Sequence, residues 1–313
     1  MHPLARAASL AGAAGAVGLG YASLVERNAF VVRRYAVPVL PAGHRPLRVV
    51  HLSDLHLMPG QRRKAAWVAA LADLEPDLVV NTGDNISHPA AIPVALEAFS
   101  AFAGVPGVFV LGSNDYFRPQ VKNPVRYLLP SRASDARTPE KAVRLPTEDL
   151  VKGLLDLGWT DLTNTRTTLD VAGSAVEVVG VDDPHRGYDR YGRVAGPFAR
   201  DATLALGVTH APYQRTLDAM TRDGAQLVIA GHTHGGQLCV PGLGALVTNC
   251  DLDRGRAKGL SRWWPGAGRA LGAPAPADAA WLEVSAGLGT SPYAPVRFAC
   301  RPEATLLTLV PSA

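Results

Sequence analysis

Short apolar runs recur along the chain: "LRVVHL" at Leu47, "DLVVN" at Asp77, "GVFVL" at Gly107 and "VEVVGV" at Val176. They continue as "TLALGV" at Thr203, "QLVIA" at Gln226, "AWLEVS" at Ala280 and "TLLTLV" at Thr305. Rich in β-branched residues and closed by polar or small residues, they read as buried strands. Between them lie stretches with helical patterning: "RRKAAWVAALADLE", "IPVALEAFSAFA", "EDLVKGLLDLG" and "PYQRTLDAMTRDG". This alternation predicts an α/β domain over residues 47–313, with helices covering mostly parallel strands. Residues 29–46, with "VPVLPAGHRP" at their end, read as a linker to it.

Two segments depart from that rhythm. Ala7 to Val25, "AASLAGAAGAVGLGYASLV", carries no charge and approaches the about 20 residues that span a bilayer. Residues 1–28 are therefore expected to be a hydrophobic helix anchoring the protein in the cell membrane, or else a signal segment. The anchor is preferred because "ASLVERN" makes a poor cleavage site. Arg27, Arg33, Arg34 and Arg45 follow it and lean the rest of the chain toward the cytoplasm. The second segment, residues 118–147, holds five prolines and carries Arg118, Lys122, Arg126, Arg132, Arg137, Lys141 and Arg144 against Asp135 and Glu140. It reads either as a solvated loop or as a basic flap that can meet an anionic substrate or lipid headgroups.

Composition adds constraints rather than detail. The chain of 313 residues is 47% hydrophobic and 19% charged, which excludes disorder and allows a sizeable core. A net charge of only +4 does not make the concentrated basic face of a nucleic-acid partner. Cys239, Cys250 and Cys300 show no CxxC spacing and read as reduced thiols.

The chemistry collects just after strand ends, where open α/β sheets place their ligands. "HLSDLHL" supplies Asp54 and His56, "NTGDNIS" Asp84, "GVTHAPY" His210, and "AGHTHGGQ" His232 and His234. One such histidine is an ordinary hydrogen-bonding residue. Two carboxylates and four imidazoles at equivalent strand ends are a supply of metal ligands, of a mix that suits Mn, Fe or Zn. They exceed what one catalytic ion with an open position takes. Two divalent metal ions are therefore expected, sharing a carboxylate and activating a water for attack on phosphorus.

The order D-x-H, G-D, G-S-N-D, H and G-H-T-H resembles the calcineurin-like metallophosphoesterase family over nearly all of Leu47 to Val310. "VVHLSDLHL", "GHTHGGQ" and the tail "GLGTSPYAPVRFACRPEATLLTL" are most similar to its membrane-associated bacterial branch. The resemblance implies a four-layer sandwich, two mixed β-sheets flanked by helices. It implies that Asp54, His56 and His234 bind one metal, that Asp84 bridges, and that His210 and His232 bind the other. The implied activity is hydrolysis of a phosphomonoester, phosphodiester or pyrophosphate, in a small molecule or a nucleotide- or lipid-linked substrate.

One block departs from the family, whose third motif reads G-N-H-D or G-N-H-E, with Asn a ligand and His the acid for the leaving group. Aligned without a gap, Ser113 takes the ligand's place and Asn114 the acid's; a one-residue bulge brings Asn114 to the metal instead. Asn114 is preferred as the ligand because its carbonyl reaches farther than the Ser113 hydroxyl. Either way the usual acid is missing, and such an acid is worth ~10²–10⁴ in rate. Asn114, Asp84 and His210 form the expected catalytic group. His88 and His185 are replacement donors or ordinary loop histidines, Asp182 and Asp183 an outer pair or a turn, and Asp115 a brace. The alternative to an enzyme is a binding module that keeps the fold without the catalysis.

Overall fold

The computed structural model describes residues 3–121 and 142–312. Its strands are β1 (Val31–Leu40), β2 (Leu47–Leu52), β3 (Leu78–Asn81), β4 (Gly107–Phe109), β5 (Trp159–Asp161), β6 (Thr165–Val171) and β7 (Ser174–Gly180). They continue as β8 (Leu204–Thr209), β9 (Leu227–Ala230), the short pair β10 (Cys239–Val240) and β11 (Gly244–Ala245), β12 (Gly259–Trp263), β13 (Ala280–Val284) and β14 (Glu303–Pro311). The helices are α1 (Pro3–Gly20), α2 (Arg62–Ala69), α3 (Ile92–Phe99), α4 (Ser113–Tyr116), α5 (Thr147–Asp156) and α6 (Gln214–Arg222).

Consecutive valines and leucines point to opposite faces of a strand, and here both faces are covered. Val49, Leu78, Val80 and Val108 of one sheet meet Val176, Val178, Leu206 and Ile229 of the other in a central apolar layer. Val50, Val79 and Phe109 turn outward under Val68, Phe99 and Leu150 of α2, α3 and α5. On the far side Val179, Val228 and Leu282 pack with Leu217 and Met220 of α6 and with Trp263. The result is four layers with two sheets ordered β1-β14-β2-β3-β4-β5 and β12-β13-β9-β8-β7-β6. Both are mixed. β2 to β5 run parallel while β14 is antiparallel to β2, and β7, β8, β9 and β13 run parallel between antiparallel edges β6 and β12.

Residues 29–46 are not a linker. They carry β1, which pairs in parallel with β14 from Val31↔Glu303 onward and buries Val37, Val39 and Leu40. Arg33, Arg34 and Pro38 disguise it in the sequence; an edge strand tolerates them because one side makes no ladder bonds.

The N-terminal segment is helical over α1, then widens into a π-helical turn at Tyr21–Val25 and tightens into a 3₁₀ turn at Glu26–Asn28. The expected transmembrane helix is not found: among the described residues no helix is long and apolar enough to cross a membrane. The Ala and Gly of this segment are too weakly apolar. Its base is tied to the domain instead, with the Cys300 N–H donating to buried Glu26 at 2.6 Å. The centre of the basic insertion lies outside the described residues, but its two ends meet beside α4. The Arg118 N–H donates to the Val143 carbonyl and the Leu145 N–H to that of Tyr116, each at 2.9 Å.

Candidate metal centre

Each candidate ligand follows a strand: Asp54 and His56 after β2, Asp84 after β3, His210 after β8, His232 and His234 after β9. Asp54, His56, Asp84, His232 and His234 all adopt left-handed φ, between 44° and 69°. For a residue with a Cβ this costs on the order of 1–3 kcal/mol and persists only where the surroundings enforce it. Bonds between neighbouring turns supply the enforcement. The N–H of Asp54 donates to the Gly83 carbonyl, and that of His56 to the Asp84 carbonyl, each at 2.9 Å. The His232 N–H donates to Asp54 Oδ2, also at 2.9 Å.

The side chains converge. Ligand atoms of Asp54, His56 and His234 lie within 4.8 Å of one another, and so do those of Asp54, Asp84 and His210. The two oxygens of Asp84 face different imidazoles, Oδ2 at 3.4 Å from His56 Nε2 and Oδ1 at 3.7 Å from His210 Nε2. His234 Nε2 stands 3.5 Å from Asp54 Oδ1, an oxygen that is buried and accepts no hydrogen bond. His232 joins through Nδ1, 3.3 Å from His210 Nε2. Every sequence-predicted ligand except Ser113 is thus at the cluster.

Burial keeps most of these imidazoles neutral, the form that can ligate. It lowers His56 and brings His234 down to about 3. His232 falls as well, through burial and then the charge of His185. His210 goes the other way: burial pushes it down, but Asp84, Asp183 and Asp54 outweigh that and carry it up to about 9. Burial likewise works to raise the Asp84 carboxyl, yet His210, His56 and two bonds from Asn114 hold it well below its ordinary range.

Behind the cluster runs a buried chain that sequence reasoning missed. Glu283 bonds His51 Nδ1 at 2.6 Å, and His51 Nε2 contacts the Thr82 hydroxyl at 2.8 Å. Thr82 donates to Ser53 at 2.7 Å, which donates to Asp54 Oδ2 at 2.5 Å. The chain crosses from one sheet to the other and fixes which Asp54 oxygen faces the cluster. The signal was present, since His51 and Glu283 interrupt otherwise apolar strands. Asp115 braces the turns, as the sequence suggested: it accepts from the N–H groups of Asp84, Asn85 and Gly112 at 2.8, 2.8 and 3.0 Å. His210 Nδ1 lies 2.7 Å from the Thr82 carbonyl, which turns Nε2 toward the site.

Lys64 steadies the first loop, its buried ammonium donating to the Leu55 carbonyl at 2.7 Å. Burial, with the charges of Arg297 and Arg27, lowers it to about 7. Below about pH 7 folded and unfolded chains both hold the proton and the burial cost is fully present. Above that, up to the unfolded value near 10.4, only the unfolded chain holds it, so stability rises with pH. Thermal melts between pH 7 and 9.5 should show a midpoint rising with pH, and a flatter dependence in Lys64→Met. Equal slopes in the two proteins would contradict this.

The two polar residues of the third motif face different ways. Asn114 donates twice to Asp84, from its backbone N–H to Oδ1 and from Nδ2 to Oδ2, both at 2.7 Å. Ser113 turns away and donates to Asp183 Oδ2 at 2.5 Å. Of the remaining histidines, His88 accepts the Ala90 N–H and caps a turn. His185 stands nearer, its ring centroid 4.5 Å from that of His232 and its Nδ1 3.0 Å from the Tyr213 hydroxyl. Trp263 is fully buried packing, donating to Asp218 at 2.9 Å.

Comparison with known proteins gives the family. Residues 47–236 match the family described as calcineurin-like phosphoesterase, and the chain belongs to that family, whose members are hydrolases of phosphoester bonds. It is 24% identical to the uncharacterized metallophosphoesterase YkuE of Bacillus subtilis, over 95% of this chain and 93% of the relative. It is 26% identical to the phosphodiesterase YaeI of Escherichia coli, over 94% and 93%. Among solved structures it is similar to TT1561 of Thermus thermophilus, with 12% identity, a TM-score of 0.38, and coverage of 78% of this chain and 91% of the other.

Proposed function

We propose that this protein hydrolyses phosphodiesters or pyrophosphates at a site holding two divalent cations, of Mn, Fe or Zn type. The observation that carries this is Asp84, whose two oxygens each face a different imidazole. The donor set fits such a pair. Asp54, His56 and His234 would hold one cation, His210, His232 and Asn114 the other, with Asp84 between them. The unpartnered Asp54 Oδ1 suits a cation, since a buried carboxylate oxygen left bare is costly. When bound, the cations supply Lewis acidity and a water acidified enough to attack phosphorus at neutral pH.

The chain's own residues set the rest. Thr82 orients His210, the His51 relay orients Asp54, and Asn114 orients Asp84. No imidazole occupies the usual acid position, so leaving groups that need little protonation are favoured. Hydrolysis of aryl phosphodiesters should exceed that of alkyl ones by far more than in a relative with the G-N-H-D motif, a comparison that nitrophenyl and methyl esters make directly. A lipid-linked pyrophosphate falls in the same substrate class.

Asn114→Ala separates the two roles open to this residue. As a ligand, its loss should remove one of two metal equivalents and at least ~10-fold in rate. Retention of both equivalents would place it at the acid position instead. A protein that binds no metal and cleaves neither nitrophenyl phosphate nor its diester would be the binding module.

A further inference from the structure

Ser113, turned from the cluster, is the seat of an arginine. Its hydroxyl, which donates to Asp183, also accepts from Arg186 Nε at 3.1 Å. The guanidinium is thereby fixed one residue from Asn114, itself bonded to both Asp84 oxygens. Arg186 Cζ lies 5.4 Å from the centroid of the Phe117 ring, and Arg144 Cζ lies 5.7 Å from the same ring. Phe117 is buried and its neighbour Arg118 is bonded to Val143, so the platform is rigid and the root of the basic insertion carries Arg144 to it.

Several arginines of the fold have acidic partners, and Arg190, Arg262, Arg297 and Arg301 bond backbone carbonyls. Arg33 pairs with Glu303, Arg166 with Glu177, Arg215 with Asp189 and Arg256 with Asp253. Among the described residues no carboxylate oxygen lies within 4.0 Å of a side-chain nitrogen of Arg186 or Arg144. Arg186 keeps both Nη groups, and Arg144 its whole guanidinium, without a hydrogen bond among those residues. Two cations gathered on one ring repel unless an anion joins them, and a guanidinium fork matches phosphate oxygens two at a time.

We propose that Arg186 and Arg144 form an anion subsite that takes a second phosphate of the substrate, beside the one at Asp84. This rests on the phosphoesterase reading and narrows it to substrates with two linked phosphates. The replacement of the family's Asn by Ser113 is then functional, because the short hydroxyl is what docks Arg186.

The test uses the full chain loaded with Mn²⁺ and calorimetric binding of two probes, the α,β-methylene analogue of ADP and AMP. The wild type should bind the diphosphonate at least ten-fold more tightly than AMP. Arg186→Gln and Arg144→Gln should each erode that preference at least five-fold, the double variant should nearly abolish it, and Arg186→Lys should restore part. Arg144 is exposed, so its variant carries the test if Arg186→Gln fails to fold. A wild type without the preference, or variants that keep it, would overturn the subsite. Turnover of nitrophenyl esters is read separately: a protein that cleaves them without the preference loses only the subsite, and one with the preference that cleaves nothing loses only the enzymatic reading.

Discussion

Asp84→Asn should lower hydrolysis of bis-nitrophenyl phosphate by at least ~10³-fold, about 4 kcal/mol of transition-state stabilisation. The substitution keeps the size of the side chain and removes the charge between the two groups of imidazoles. It also puts an amide where Asn114 donates twice at 2.7 Å, so donor meets donor. Metal content should fall with activity. The thermal midpoint should fall as well, because His210, His56 and Asn114 hold the Asp84 carboxyl below its ordinary range and its charge therefore favours the folded chain at neutral pH. A variant that keeps both its metal and its rate would show that Asp84 does not bridge.

The second large effect comes from a residue with no side chain. A Cβ on Gly112 would meet Asp84 Oδ1 at 2.3 Å and His210 Cε1 at 2.6 Å. The backbone there is extended, φ −108° and ψ 173°, and any residue can adopt it. The obstacle is therefore steric, and Gly112→Ala should push two ligands aside at once. Activity should drop at least ~10²-fold, as a displacement of about 1 Å in a reacting group does. Gly158→Ala is the counterpart. Gly158 has φ +84° with open space around it, so alanine there should cost about 1 kcal/mol of stability and leave the rate alone. Similar losses in both variants would refute the steric account.

The sequence disclosed the elements that are apolar on consecutive positions. β2, β3, β4, β7, β8, β9, β13 and β14, and helices α2, α3, α5 and α6, all coincide with the predicted runs or overlap them to within about two residues at either end. It hid the edges. β6 reads "TRTTLDV", half-exposed and polar, and β12 reads "GLSRW", with no continuous apolar run. Pairing was invisible to periodicity, since β14 inserts between β1 and β2 and joins Glu303 to Val31. Two mixed sheets could come only from the family resemblance. At the site, Asp54, His56, Asp84, His210, His232 and His234 were legible because each ends a strand. The left-handed backbone that all of them but His210 adopt was not, for nothing in an aspartate or histidine announces it. What Ser113 does instead was out of reach for a related reason: its partners Asp183 and Arg186 lie some 70 positions away.

Anomalous diffraction from crystals soaked in Mn²⁺ bears most directly on the two-cation site. The account predicts two peaks, one among Asp54, His56 and His234 and one beside His210, His232 and Asn114, with Asp84 touching both. A single peak, or peaks away from Asp84, would contradict it.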